Sequence, residues 1–477
     1  MLNFGFLHRT DSRVEEAQRK KLRILVISNL PASSETQPLE GPIFSVDRDS
    51  LDEVVRALQP PLSFAAHSPT GPATTLAIDS LESLHPDEIY RRSETCERYR
   101  RLKRQLRGSE SASAIQEIQG WSNIAAPPAP TTRPVSSGAT LERSVEQAVT
   151  RENWFESVVA ETESREQAET ERWRRFVDEL IRPLAVRTID PNLDHYQAAV
   201  DRAIELEVRR ILHDPRFRQA EVVWRGLEWL LRRIDTDSAC ELGMWNVPAD
   251  VLAYDLCQED DLGTSACYRR LVRETVATPG GKRWDLICPL HGFSNASASL
   301  LCLGRFISIA AAAESAVAVG FAPTAPPHSA EWTVDWPELR ALSAAPFLTA
   351  LVPRFLLRPT YGRRGGRVEQ FAFEEHGPGD AGGVWGNPAW LAACAWAQSY
   401  EHEQRFDPTN VVQFRNLPTW QGPDDIVLSG ERLMHEGEIA EWLSLGLTPV
   451  VAYRDSDQVQ IHGFQSVART PWRGRWS

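Results

Sequence analysis

Residues 125–140 read AAPPAPTTRPVSSGAT. Proline, alanine and hydroxyl-bearing residues at this density offer little apolar surface to bury, and each proline removes a backbone donor, so no core forms there. The stretch reads as a linker. It divides the 477 residues into a piece of 1–124 and a larger piece of 141–477, each long enough to fold around its own core.

Ahead of the linker, KLRILVISNLP (residues 21–31) is a run of Ile, Leu and Val closed by Asn-Leu-Pro, the pattern of a buried strand and a turn. In GPIFSVDRDSLDEVVRALQPPLSF (residues 41–64), IFSV reads as a short strand and Asp49 or Ser50 is placed to cap a helix. Leu51, Val54, Val55 and Leu58 share one face of that helix, and Pro60 stops it. Another helix is expected around SLHPDEIYRR, with Pro86 in its first turn. The basic RYRRLKRQLR follows at its C-terminal end, where positive charge suits the helix dipole.

Beyond the linker, residues 141–184 are helical in pattern and highly charged. Two amphipathic helices then meet at His213-Asp214-Pro215, where Asp214 can cap and Pro215 suits the first helical position. In the second helix Phe217, Ala220, Val223, Trp224, Leu227, Leu230, Leu231 and Ile234 form one apolar stripe. After Ile234, short apolar runs such as CELGMWNVP and WDLICPLHGF alternate with helical ones. The expected class is α/β (α+β): a small N-terminal α/β segment and a larger mixed domain with a helical N-terminal part.

Composition narrows the function. Hydrophobic residues at 42% and charged residues at 25% fit a globular protein, and a net charge of -13 argues against broad nucleic-acid binding. Seven scattered cysteines lack the paired spacing of a disulfide framework. The sequence shows no secretory signal and no apolar run of about 18 residues. A cytoplasmic protein without membrane insertion is expected.

Chemical motifs are few. YGRRGGRVE (residues 361–369) combines glycines with three arginines, yet lacks both the Lys-Ser/Thr of a phosphate loop and the dinucleotide spacing. Its arginines are expected to pair with Glu369, Glu374 or Glu375. Cys288 and His291 have a Cys-x-x-His spacing, but the nearest further ligand, Cys302, lies in an apolar run. His435 and Glu401 sit in HEGE and EHEQ, which lack the second histidine of a zinc-protease helix, and Glu259-Asp260-Asp261 reads as a solvated loop. No catalytic residue, cofactor or metal ligand is nominated.

Order along the chain carries more weight than any one motif. Residues 1–124 resemble the small subunit of the bacterial type VI secretion contractile sheath. The likeness rests on the strand, on FSVDRDSLDEVVRALQPPLSF, and on LAIDSLESLHPDEIYRR. Its matching positions are Phe44, Asp47, Arg48, Asp49, Leu51, Asp52, Val54, Pro61, Leu62, Leu84, His85, Pro86 and Asp87. The remainder resembles the large subunit of the same sheath through RRILHDPRFRQAEVVWRGLEWLLRRIDT, WNVPADVLAYDL, VPRFLLRPTYG, VEQFAFEE, VWGNPAWLAACAWAQSYE and LGLTPVVAYRDSDQVQIHGFQSV, in family order.

The resemblance implies a fusion of small and large subunits, the large one lacking the family's usual C-terminal region. It implies a non-enzymatic role in assembly. The expected partners are other sheath subunits, tube or baseplate proteins and the recycling ATPase, with residues 141–161 as the candidate ATPase segment. Candidate interface or packing residues are Arg354, Tyr361, Arg363, Arg364, Arg367, Glu369, Trp385, Asn387 and Trp224. The alternative is an enzyme or binding protein that uses loop 361–369 for an anionic ligand.

Overall fold

The computed structural model describes residues 21–31, 39–65, 74–108, 111–121, 193–258, 261–327, 329–363, 365–376, 383–421 and 426–475. The linker, the charged stretch 141–184, Glu259, Asp260 and Arg364 lie outside the described residues. The chain forms a mixed α/β fold. One compact unit gathers the described residues up to Arg98 with those from Ile204 onward, and a second spans Tyr99–Ala203.

The first unit begins with β1 (Leu22–Ser28), β2 (Phe44–Ser45), α1 (Leu51–Leu58), the hairpin of β3 (Leu62–Phe64) and β4 (Thr74–Leu76), and α2 (Pro86–Arg92). Next in the chain come α3 (Glu94–Leu106), α4 (Ser111–Gln119), α5 (Leu193–His213) and α6 (Pro215–Leu231). β5 (Cys240–Asn246), α7 (Ala249–Cys257), β6 (Leu286–Pro289), α8 (Ser297–Ala312), β7 (Ala316–Gly320), α9 (Asp335–Ala341), β8 (Leu348–Val352) and β9 (Phe355–Pro359) follow. The described chain is completed by β10 (Gly383–Gly386), α10 (Ala389–Glu403), β11 (Val412–Phe414), β12 (Trp420–Gln421), β13 (Val427–Leu428), α11 (Glu436–Ser444), β14 (Thr448–Pro449), β15 (Val451–Ala452) and β16 (Val459–Ile461).

A seven-stranded sheet runs in the order β14-β8-β7-β6-β1-β5-β2, parallel throughout except for β2 against β5. Continuous Val, Ile and Leu runs suit such a sheet because helices cover both of its faces. β1 is its pivot. All seven of its residues pair in register with β5, from Leu22 opposite Cys240 to Ser28 opposite Asn246. Its other edge pairs with β6, from Ile24 opposite Leu286 to Ile27 opposite Pro289. The sheet thus draws strands from both sides of residues 125–140.

Side chains of β1 alternate between two layers, as strand geometry requires. Leu25 and Ile27 enter the cluster that holds Leu303, Phe306 and Ile307 of α8. On the other face, the Cys288 thiol of β6 points to the Ala389 carbonyl at the start of α10, 3.8 Å away. The end of β1 is locked by Asn246, whose Oδ1 accepts from Ser28 Oγ at 2.9 Å and Leu30 N at 2.8 Å.

The helix signals largely act as expected. Asp214 caps α6 by accepting from Arg216 N, and Pro215 occupies its first turn. Every residue of the predicted stripe is buried. Pro86 opens α2, and the His85 ring accepts from Asp87 N at 3.2 Å. The α1 cap differs in detail. Ser50 holds the cap position, but its hydroxyl accepts from Asp47 N, while Asp47 Oδ1 accepts from Asp49 N and Ser50 N. An Asp side chain commonly closes such a turn on its own backbone, and here it outcompetes the serine cap.

In the second unit, Lys103 pairs with Asp201 at 2.6 Å and Gln119 Nε2 donates to Tyr196 Oη at 2.8 Å. No helix of the described residues is long and apolar enough to cross a membrane.

Gly226 supplies a test in which helix propensity and packing disagree in sign. It lies within α6, where alanine would ordinarily stabilise by about 1 kcal/mol. A Cβ there would sit 2.2 Å from Nε1 of the fully buried Trp390 in α10. Gly226→Ala is expected to destabilise the protein by about 1–3 kcal/mol, the usual cost of overpacking. Urea unfolding of the two proteins measures it, and a more stable variant would contradict this α6–α10 packing.

Candidate functional site

The Arg/Gly loop follows β9 directly, and its glycines are required by a tight turn. Gly362 N donates to Gly366 O and Gly366 N donates to Thr360 O, both at 2.9 Å. Gly362 has φ +143°, and a Cβ on Gly365 would lie 1.9 Å from the Thr360 carbonyl. Only glycine fits either position.

Directly beneath the loop is a buried ion-pair network. Arg358 of β9 is 6% exposed and Glu221 of α6 is fully buried. The Arg358 guanidinium donates to both oxygens of Glu221, at 2.6 and 2.9 Å, and to both oxygens of Glu375, at 2.7 and 3.2 Å. Arg225 donates to Glu221 at 2.7 Å and to Tyr361 Oη at 2.8 Å. Tyr361 N donates to Glu375 at 2.8 Å, and the Arg358 guanidinium lies over the Tyr361 ring, 4.1 Å from its centroid, as a cation–π contact.

Two guanidiniums and two carboxylates cancel, so the network is neutral and its bidentate pairs are well formed. Burial pushes the Glu221 pKa up, but the charges and hydrogen bonds of Arg358 and Arg225 outweigh it and leave the pKa below its ordinary value. Burial works against the Arg358 charge, and Glu221 with Glu375 reverses that and holds it protonated.

The N-terminal segment docks on the same loop. Asp87, in the HPD start of α2, accepts from the backbone of Glu369 at 3.1 Å and of Gln370 at 3.0 Å. His85 meets Tyr361 edge-on with centroids 5.0 Å apart, and Tyr90 stacks on Phe371 at 4.8 Å. Further along, Arg48 Nε donates to the Leu231 carbonyl at the end of α6, at 2.8 Å. Gln59 Oε1 accepts from Trp224 Nε1 at 3.1 Å.

The remaining candidates take varied places. Arg354 pairs with Glu431 at the surface, the exposed Arg363 lies 3.7 Å from the half-exposed Glu374, and Arg367 and Glu369 are exposed. Trp385 of β10 packs edge-on against Trp420, and Asn387 Oδ1 accepts from Ala389 N at the start of α10. Trp224 is a core residue of α6. A cleft of about 550 Å³ opens beside the loop between Arg363, Arg367, Phe371, Phe373, Glu205 and Glu374. Two carboxylates and two arginines are among the residues that line it.

Cys288 and His291 serve the core. His291 Nε2 donates to the Val247 carbonyl, 2.9 Å away, and burial lowers its pKa to about 4. Burial likewise raises the Cys288 thiol and pushes Cys302 up to about 12. The network residues Arg358, Glu221 and Arg225 escaped the sequence reading. A signal for them exists: Glu221 and Arg225 are an i,i+4 charge pair on a largely apolar helix, and Arg358 interrupts the strand FLLRP.

Comparison with known proteins bears on the part of the chain from residue 194 onward. Residues 194–325 and 328–468 match the VipB family, described as EvpB/VC_A0108, tail sheath N-terminal domain. The type VI secretion system sheath protein TssC1 of Pseudomonas aeruginosa is 23% identical over 342 residues, covering 63% of this chain and 68% of that protein.

Arg358→Ala removes the guanidinium shared by two buried carboxylates, leaving Glu221 with Arg225 and Glu375 with the Tyr361 N–H, and is expected to cost about 3–5 kcal/mol in urea unfolding. A cost below 1 kcal/mol, the range of exposed pairs, would contradict the buried network. The pH dependence has a definite sign. Because the folded pKa of Glu221 is depressed, its pairing stabilises above the ordinary Glu value and is lost as pH falls through the lower, folded one. Glu221→Gln is therefore expected to flatten the acid limb of the stability profile, and an unchanged limb would contradict the assignment.

Proposed function

The chain belongs to the VipB tail-sheath family, and from that premise we propose that it is a structural subunit of a type VI-like contractile sheath. In this reading residues 1–124 act as a small-subunit-like segment and residues 141–477 as the large-subunit-like body, carried on one chain. The observation that carries it is the seating of β1 between β5 and β6. A strand buried on both faces and paired on both edges is an integral part of a fold, whichever chain supplies it.

Docking of the HPD turn on the VEQ backbone supports the same reading, because Asp87 joins the two motif sets that the sequence places on opposite sides of residues 125–140. Sheath subunits act through complementary surfaces, so the work lies in protein contacts and not in a catalytic pocket. Tyr361, Trp224 and Asn387 shape the body from within. Arg354, Arg363, Arg367, Glu369 and Trp385 offer polar and aromatic surface to neighbouring sheath subunits; Arg364, the remaining candidate, lies outside the described residues. Tube or baseplate proteins and a recycling ATPase are the further partners of this reading, the ATPase through residues 141–161. Cytoplasmic assembly is its setting.

Two experiments test the proposal. A protease site placed within residues 125–140 is expected to yield two fragments that co-elute after cleavage and separate only in denaturant. Fragments that part under native conditions would contradict a shared fold. Negative-stain imaging of the purified chain, alone and mixed with full-length sheath subunits, is expected to show ordered polymers containing it. A monodisperse species in both samples would overturn the sheath role.

A further inference from the structure

Where α5 ends and the loop segment closes, His213, Glu375 and His376 come together. Each offers one ligand atom, and these atoms lie within 4.8 Å of one another, a single such group among the described residues. The imidazole rings of His213 and His376 are tilted by 33° with centroids 4.7 Å apart. Nε2 of His213 is buried and has no hydrogen-bond partner among the described residues. An imidazole nitrogen left in that condition costs free energy unless something binds it.

From this geometry we infer that His213, His376 and Glu375 form a binding site for a divalent transition-metal ion, with Zn(II) as the preferred occupant. Two imidazoles and a carboxylate are the donor set of borderline ions, whereas Ca(II) and Mg(II) take oxygen alone. In a tetrahedral zinc site the ligand atoms stand about 3.3 Å apart, so a modest closing of the two rings completes the chelate. One position stays open to water or an anion.

The surroundings set the strength of the site. Glu375 already receives both Arg358 contacts and the Tyr361 N–H, and its Oε1 carries only the longer Arg358 bond of 3.2 Å. The charges of Arg218 and Arg209 face His213, as does that of His376 when protonated. Burial, followed by Arg218 and His376, lowers the His213 pKa, which keeps the ring neutral and able to ligate at neutral pH. The same cations oppose a dication, so moderate affinity with an anion at the open position is expected. Bound metal would cross-link the α5–α6 corner to the segment that carries the buried network.

The test uses the full-length chain, stripped with chelator and titrated with Co(II), then Zn(II). One Co(II) per chain with the visible absorption of tetrahedral cobalt, displaced by Zn(II), is expected. Zn(II) should also raise the melting temperature. His376→Asn and His213→Asn should each abolish the cobalt band and the thermal shift, while their circular dichroism in chelator matches wild type. His376 lies outside the helices whereas His213 closes α5, so the His376 variant alone decides the matter if His213→Asn does not fold. Absence of stoichiometric binding, an octahedral cobalt spectrum, or binding that survives His376→Asn would overturn the site.

Discussion

The pairing of β1 on both edges is the constraint on which the rest of the fold depends. Without Leu22–Ser28, the parallel sheet would divide into β6-β7-β8-β14 and β5-β2. Ile24, Leu25, Val26 and Ile27 are all fully buried, and their alternation feeds both helical layers at once. Burial of an Ile, Leu or Val side chain contributes about 1.5–3 kcal/mol each, so this strand is a large share of a marginal total. Its ends are held as well. Asn29 Oδ1 accepts from Ala249 N at the head of α7, and Arg23 pairs with Glu241 while covering Trp284 at 4.0 Å.

A second constraint comes from charge. Arg358, Arg225, Glu221 and Glu375 draw α6, β9 and the loop into one fixed arrangement. Desolvating four charges is costly, and apolar residues of similar volume often do as well for stability. What such a network adds is directionality: Tyr361 and Glu375 have one geometry that satisfies both arginines, and the Arg/Gly turn follows from it. That turn presents the Glu369 and Gln370 backbone to Asp87, so the geometry of the buried charges reaches the surface where the N-terminal segment docks.

Local structure was largely legible in the sequence, because its signals are local. The apolar run of residues 21–31, the stripe on α6, the Asp214-Pro215 start and the HPD turn each follow from periodicity or from one side chain capping nearby backbone. Pairing across long separation was not legible. Nothing within LRILVIS states that its neighbours will be CELGMWN and LICP, more than two hundred residues away, since any parallel strand of matching length would serve. The same holds for Arg358: a lone arginine in an apolar strand signals a buried partner without naming Glu221 or Glu375. His213 and His376 lie far apart in sequence and show no ligand spacing. Of the partners the sequence offered the loop arginines, Glu374 lies beside Arg363, whereas Glu375 turns inward to Arg358 and the glycines answer to the turn.

The central claim is that the N-terminal strand is an inseparable part of the large-subunit-like body. Native-state hydrogen exchange of residues 22–28, followed against denaturant, tests it most directly. The account predicts that these amides exchange only through global unfolding, with the same free energy and denaturant dependence as those of β5 and β6. Exchange of β1 at a distinctly lower free energy, while β5 and β6 stay protected, would contradict it.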